Sequence, residues 1–330
     1  MERFDAVVVG GGIIGLASAW RAQQRGLRVC VLERAEPGSG ASRVAAGVLG
    51  PDPETPGFTA LARASAEVWP VFADELGDVG YTRCGSLVLA FDDDELEDGW
   101  LDGDTCRALE PGISPECVGG LLLDEDAQVD PRRVIAALRD RVADVSTGAD
   151  VVAITPDYVE LADGSKVSAD RVVLAAGAWT ARRLAPLLPV RPVKGQTLRL
   201  RGPLPATRII RGQQVYVVPR ASGETVLGAT VEEVGYDETA TDDATQFLLR
   251  QAIHAVPAVA GLELVEAVAG LRPGTPDDGP LIGEWDGLIV ATGHYRNGIL
   301  LAPITADAVA ALLTGDEPPP ETTPFDPNRF

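Results

Sequence analysis

The first 35 residues carry the feature that most limits what this chain can fold into. FDAVVVG (4–10) is an extended, valine-rich run ending in glycine. GGIIGLASAWRAQQRG (11–26) has helical spacing, and LRVCVLE (27–33) is a second apolar run. Strand, glycine turn, helix and buried strand make a βαβ unit, which demands a parallel sheet covered on both faces. The turn reads Gly10-Gly11-Gly12-Ile13-Ile14-Gly15, and Glu33 closes the second strand 18 residues after Gly15. Gly10 permits the tight turn, Gly12 lets backbone approach a pyrophosphate, and Gly15 lets helix and strand pack closely. The helix start supplies N–H donors to an anion, and the Glu33 carboxylate can accept from a ribose hydroxyl. With every part in context, the pattern reads as a dinucleotide site rather than a structural glycine turn.

The rest of the composition narrows the class. With 330 residues, 45% of them hydrophobic, the chain can build one large domain or two interleaved ones, and wholesale disorder is excluded. No apolar run is long enough for a membrane span. The net charge of −21 repels phosphate backbones, so no nucleic-acid partner is expected. An anionic ligand needs a local basic exception, and with only Lys166 and Lys194 as lysines that exception is expected to be an arginine. His254 and His294 are the only histidines, too few for a three-histidine metal centre, and no GxSxG accompanies them. No metal site is expected. Cys30, Cys84, Cys106 and Cys117 form no CxxC pair, and the N-terminus has no signal-peptide pattern, so a reducing cytoplasm is expected.

Along the chain, residues 37–56 read as a loop with one helical turn, and TALARASAEVWPVFADEL (59–76) reads as a helix interrupted before Pro70. GGLLLDEDAQVD (119–130) reads as a strand leaving the core, PRRVIAALRDRVAD (131–144) as an amphipathic helix, and 215–219 and 225–230 as a strand pair. The run after Glu317 is expected to be extended or loose. Dinucleotide-type strands fall at 4–9, 28–32, 171–175 and 287–291, with other strands between them, so the two halves interleave. The expected division is 1–80, 130–185 and 270–315 for a nucleotide-binding domain, 81–129 and 186–269 for a substrate domain, and 316–330 for a tail. The fold class is α/β: a Rossmann-like FAD-binding domain with an interleaved, mostly antiparallel β-sheet substrate domain.

FAD and NAD share the moiety that the glycine turn holds. Two late segments favour FAD: RVVLAAG (171–177), and GLIVATG (287–293), which runs towards a helix expected to begin near Asn297-Gly298 and to offer N–H donors to a flavin. VVVGGGIIGLASAW, AAGVLGP, PVKGQ, VYVVPR with GAT, AGLRPGTPDDGPLIG and TGHYRNGILLAP then carry a resemblance across residues 7–303. The chain resembles the FAD-dependent amine and amino-acid oxidases of the D-amino-acid oxidase superfamily, and within it the glycine oxidases of thiamine biosynthesis. The resemblance implies cofactor contacts at Gly10, Gly12, Ile13, Ile14, Gly15, Glu33, Arg34, Ala41, Ser42, Ala46, Gly47 and Val48. It adds Val151 near the adenine, and His294, Tyr295, Arg296, Asn297, Gly298, Ile299 and Leu300 on the flavin's pyrimidine side. Tyr216, Arg272 and Arg296 match the family's substrate residues. Taken alone, Arg272 reads equally as an ion-pair partner of an acid such as Glu266.

Arg43 and Val44 stand where relatives have smaller or hydroxyl residues, and the segment 91–107 is short and acidic. Sarcosine oxidases of the superfamily carry a flavin-linking cysteine near the position of Gly270. No cysteine follows Cys117 here, so non-covalent FAD is expected. The implied reaction oxidises glycine or another small amino acid or amine to the imine, and thence to glyoxylate and ammonia, reducing oxygen to hydrogen peroxide. Hand-over of the imine to thiazole synthase is a further implication, and a homo-oligomer is compatible with it. The alternatives are a D-amino-acid dehydrogenase or sarcosine-type oxidase with another amine or acceptor, a flavin-binding module without turnover, and a nicotinamide dehydrogenase.

Overall fold

The computed structural model describes residues 3–50 and 58–330. Phe4–Val9 lies at the centre of the first sheet. Val29–Glu33 pairs parallel to it on one side, and the long strand Lys166–Leu174 pairs parallel on the other. Asp144–Thr147 continues the parallel order beyond Val29–Glu33, and Leu288–Thr292 does so beyond Leu174. Along the central strand Ala6 and Val8 pack into one apolar cluster and Val7 and Val9 into another. That division between opposite faces is why the run is continuously apolar instead of alternating. Helices Ile13–Gln24 and Ala302–Thr314 pack on each other over the face that Ala6 and Val8 point to.

The second sheet has eight strands, drawn from residues 86–123 and 191–274. Arg191–Arg201 pairs antiparallel with Glu263–Gly274 along its whole length, and the predicted pair Tyr216–Pro219 and Glu224–Gly228 is antiparallel too. One pairing is parallel, Ile209–Arg211 with Ser86–Ala90, so the sheet is mostly antiparallel. The expected boundary at residue 270 falls inside the strand Glu263–Gly274, and pairing with Arg191–Arg201 keeps residues 270–274 in the second sheet.

Three local expectations need correction. Thr59–Leu76 is one helix with Pro70 inside it. Anchors on both sides of the proline hold it in place: Trp69 Nε1 donates to the Leu300 carbonyl at 2.8 Å, as does Ser65 Oγ at 2.7 Å, and Phe72 packs edge-on against Trp20 and Trp69. Residues 119–130 contain two short strands, Gly119–Leu123 and Ala127–Gln128, in different sheets. The reading of 37–56 as a loop with one helical turn meets the turn Ala41–Val44, and its residues 51–56 lie outside the described residues. The C-terminal run is docked: Phe325 is buried, its ring 5.8 Å from Phe58, and Arg329 pairs with Asp277 at 2.9 Å. Among the described residues no helix is long and apolar enough to cross a membrane.

The docked tail makes a prediction. Phe325→Ala removes a buried ring, and large-to-small changes of this kind cost about 3–5 kcal/mol. The thermal midpoint should fall well below that of the unaltered protein, whereas a loose tail would leave it unmoved.

Candidate functional site

A cavity of about 1070 Å³ lies between the carboxyl ends of the parallel strands and the second sheet. This is where open α/β sheets bind ligands. Every site residue predicted from the sequence lines it except Gly15 and Leu300. Both exceptions act from behind. A Cβ on Gly15 would lie 1.9 Å from the Gly10 carbonyl oxygen, so Gly15 sets how closely helix and strand approach. Leu300 is core, and its carbonyl anchors Ser65 and Trp69.

At one end of the cavity the glycine turn is held from below. Glu33 Oε2 accepts from the Gly11 N–H at 2.7 Å and its Oε1 from the Ala35 N–H at 2.8 Å. Ser42 Oγ accepts from the Ile13 N–H at 3.1 Å, tying the Ala41–Val44 turn to the start of the long helix. A Cβ on Gly10 would meet the Ala175 carbonyl oxygen at 2.3 Å, so the strand ending in RVVLAAG presses directly against the turn. Further along, the Arg34 guanidinium lies 4.1 Å from the Trp179 ring, Tyr236 packs at 4.8 Å from the same ring, and Arg183 pairs with Asp150 at 2.6 Å. Trp179, Asp150 and Arg183 line the cavity beside Val151. No motif in the sequence singles them out, because their place is set by the long-range pairing of Lys166–Leu174 with the central strand.

At the other end Tyr216 and Arg272 approach through paired glycines. The Tyr216 ring occupies the space a Cβ on Gly228 would need, 2.5 Å away. The Arg272 guanidinium likewise covers Gly195, whose added Cβ would lie 2.2 Å from Nη1. Arg272 donates through Nη1 to the Thr230 carbonyl at 2.9 Å. Glu266 is not its partner: that carboxylate binds Arg43 at 2.9 Å and Arg132 at 2.7 Å. Among the described residues no acid pairs with Arg272. Lys194, next to Gly195 on the same strand and buried, is held by Asp237 at 3.3 Å and Glu232 at 3.6 Å.

The segment after Leu288–Thr292 differs from expectation. The helix begins at Ala302, not near Asn297. Tyr295 has φ +45°, its N–H donates to the Pro273 carbonyl at 3.0 Å, and the Asn297 N–H donates to the His294 carbonyl at 2.8 Å. The first ties the segment to the end of Glu263–Gly274 and the second closes a turn, so neither opens a helix. Arg296 is on the cavity lining, its guanidinium 5.4 Å from the Tyr295 ring. His294 is fully enclosed, and burial lowers its pKa to about 3. Its Nε2 is 3.0 Å from Thr305 Oγ1, and its Nδ1 has no partner among the described residues.

A family model described as DAO, FAD dependent oxidoreductase, matches residues 5–312. The chain belongs to this family. A glycine oxidase of Geobacillus kaustophilus is 33% identical, over 99% of this chain and 97% of that protein. A crystal structure of glycine oxidase from Geobacillus kaustophilus superposes with a TM-score of 0.94 at 31% identity, covering 100% of both chains. The bifunctional protein ThiO/ThiG of Synechocystis sp. is 38% identical over 99% of this chain. The chain spans about half of that relative's length, 54%.

FAD is therefore the cofactor, and the α/β reading with an interleaved, mostly antiparallel sheet holds. The residues present fit it. The glycine turn is a cradle in which a Cβ on Gly10 or Gly15 would collide with backbone, and His294, which lines the cavity, has a buried Nδ1 with no partner among the described residues.

The burial of His294 predicts an acid-side effect. Its folded pKa, about 3, lies below the ordinary 6.5, so between those values the unfolded chain holds a proton that the folded chain does not. Stability from keeping this ring neutral is fully present above pH 6.5 and is lost as pH falls towards 3. Between pH 6.5 and 4 the unaltered protein should lose about 2–3 kcal/mol more stability than His294→Asn. Parallel curves for the two proteins would show that the ring is not held neutral.

Proposed function

We propose that the protein oxidises glycine, or another small amino acid or amine bearing a carboxylate, to the imine, with oxygen reduced to hydrogen peroxide. The imine hydrolyses to glyoxylate and ammonia or is handed to thiazole synthesis. The single observation that carries the substrate class is Arg272: a guanidinium on the cavity wall, seated over Gly195, with no carboxylate partner among the described residues. The likeness to glycine oxidases over the whole chain supports the same reading, and the likeness to ThiO/ThiG proteins supports the link to thiazole synthase. In this reading the first sheet and its helices form the cofactor-binding half, the second sheet the substrate-binding half, and the divide follows the strand end at Gly274.

FAD when bound supplies the two-electron acceptor that takes hydride from the substrate's α-carbon and passes electrons to oxygen. The protein's own part is orientation. Arg272 keeps Nη1 on the Thr230 carbonyl, which fixes the plane of its fork and leaves the in-plane Nη2 donors to receive a carboxylate. Tyr216, flat over Gly228, offers its hydroxyl to the same anion, and Arg296 closes the pocket from the turn after His294. His294 is neutral and enclosed, so it serves as a cofactor contact and not as a general base. Glu33, Arg34 and the glycine turn hold the nucleotide, with Val151 against its adenine.

The cofactor is held without a covalent link in this reading. The space beside Gly270 is filled by Val44, whose Cγ2 would lie 2.9 Å from an added Cβ, so a side chain reaching the flavin from 270 has no room. Acid precipitation should leave the yellow colour in the supernatant, and colour in the washed pellet would contradict this. The four cysteines are unpaired, which fits a cytoplasmic enzyme.

The decisive experiment compares two substrates. Losing one partner of a desolvated charge pair costs about 2–5 kcal/mol. Arg272→Ala should therefore lower kcat/KM for glycine by about 30-fold or more while FAD content is kept. Arg272→Lys should recover part of this, because an ammonium lacks the flat fork. A simple amine without a carboxylate should lose far less. Equal losses for both substrates would mean that Arg272 supports the fold or the flavin, and that the carboxylate binds elsewhere.

A further inference from the structure

The turn and loop from Ala41 to Val48 line the cavity at every residue but Arg43, and two of their carbonyls are gripped by side chains of the second sheet and its strand ends. Thr197 Oγ1, on the second sheet, donates to the Val44 carbonyl at 2.9 Å, while the N–H of the same peptide unit, on Ala45, donates to the Ala41 carbonyl at 3.1 Å. Arg220 is buried at the end of Tyr216–Pro219 and spreads its fork over two chains. Nη2 donates to the Ala46 carbonyl at 2.8 Å and Nη1 to the Val129 carbonyl at 2.9 Å. Those two chains are themselves joined, since the Val129 N–H donates to the Gly47 carbonyl at 2.9 Å. Glu224 at 3.3 Å and Asp130 at 3.7 Å hold the guanidinium in place.

The consequence follows from peptide geometry. In a planar trans peptide the C=O and N–H point opposite ways. The peptide between Ala46 and Gly47 is trans, so turning the Ala46 oxygen onto Arg220 turns the Gly47 N–H away from it. Gly47 is buried, lines the cavity, and its N–H has no acceptor among the described residues. A buried donor without a partner is uncommon and costly. Bonds on both flanking carbonyls hold this peptide, Ala46 to Arg220 and Gly47 to the Val129 N–H, and only glycine fits: φ is +82°, and an added Cβ would lie 2.1 Å from the Val129 oxygen. The loop is thus fixed with one main-chain donor facing the ligand space.

We propose that Arg220, seconded by Thr197, is a positioning residue for the cofactor: its fork sets the plane of the 46–47 peptide so that the Gly47 N–H is offered to the flavin. The inference rests on the cofactor contacts that the family resemblance implies at Ala46, Gly47 and Val48, with the flavin as the part of FAD that they meet. Neither side chain needs to touch the cofactor through its charged or hydroxyl group for this to act.

The test measures FAD release from the holoenzyme on dilution, by flavin fluorescence, together with the flavin absorbance spectrum. Arg220→Lys keeps the charge and loses the fork, and Thr197→Val keeps the shape and loses the hydroxyl. FAD affinity should fall about tenfold in the first and about fivefold in the second, with displaced absorbance maxima. Leu248→Ala, in the apolar cluster of the second sheet, is the control for general loosening. It should lower the thermal midpoint and leave FAD release and the spectrum unmoved. If Arg220→Lys does not fold, Thr197→Val decides. Release and spectra within twofold of the unaltered protein, or an equal change in Leu248→Ala, would overturn the proposal. Bleaching of the unaltered holoenzyme by glycine without oxygen tests the substrate reading separately, so either can fail alone.

Discussion

Three backbones meet at the turn after the central strand, and the rest of the site depends on how closely they can approach. A Cβ on Gly15 would lie 1.9 Å from the Gly10 oxygen, and one on Gly10 would lie 2.3 Å from the Ala175 oxygen. Helix, first strand and the strand from residue 166 are therefore in main-chain contact, and no other residue type fits at either position. This contact brings Glu33, the Ala41–Val44 turn and the Ala175–Ala178 stretch around one point. Glu33 serves the fold at this point, since its carboxylate accepts from the Gly11 and Ala35 N–H groups. Removing it disturbs the turn as well as any ribose contact.

The second sheet extends the same device. Gly195 and Gly228 are flat places on adjacent strands where larger side chains from neighbouring strands lie down: Arg272 over one, Tyr216 over the other. Direction comes from register. Val193, Gly195 and Thr197 alternate with Lys194 and Gln196, so one face of Arg191–Arg201 meets the cavity while the other holds the segment after Gly228. Gln196 does this with its whole amide, accepting from the Thr241 N–H at 2.7 Å and donating to Thr245 Oγ1 at 2.7 Å.

How much of this was legible in the sequence follows the range of each interaction. The βαβ unit is local, and its glycines, helix and Glu33 were readable from 33 consecutive residues. Interleaving was readable because four of the five parallel strands share one apolar signature despite their distance along the chain; the fifth, Asp144–Thr147, lacks it. Helix boundaries were weaker. Pro70 reads as a break, yet Trp69 bonds to a carbonyl 231 residues away, a contact that no window of sequence contains. The start at Ala302 was missed because Tyr295 adopts a left-handed backbone dictated by the Pro273 carbonyl. Trp179, Asp150 and Arg183 carry no signal at all, because their role comes only from which strand lies beside which.

Charge explains why the cavity can receive anions in so acidic a chain. A formal charge of −21 opposes both a pyrophosphate and a carboxylate. Two cavity arginines do not help. Arg183 is paired with Asp150 and Arg211 with Asp126, so each presents a neutralised pair. Arg34 and Arg272 differ: one is stacked on Trp179 and the other bonded to a main-chain carbonyl, and neither faces an acid among the described residues. They stand at opposite ends of the cavity, one beside Glu33 and the glycine turn, the other beside Tyr216. A ligand with negative charge at the nucleotide end and a second, small anion at the far end meets an uncompensated cation at each. The acidic remainder of the surface then disfavours anions everywhere else, which turns a general repulsion into selection for these two places.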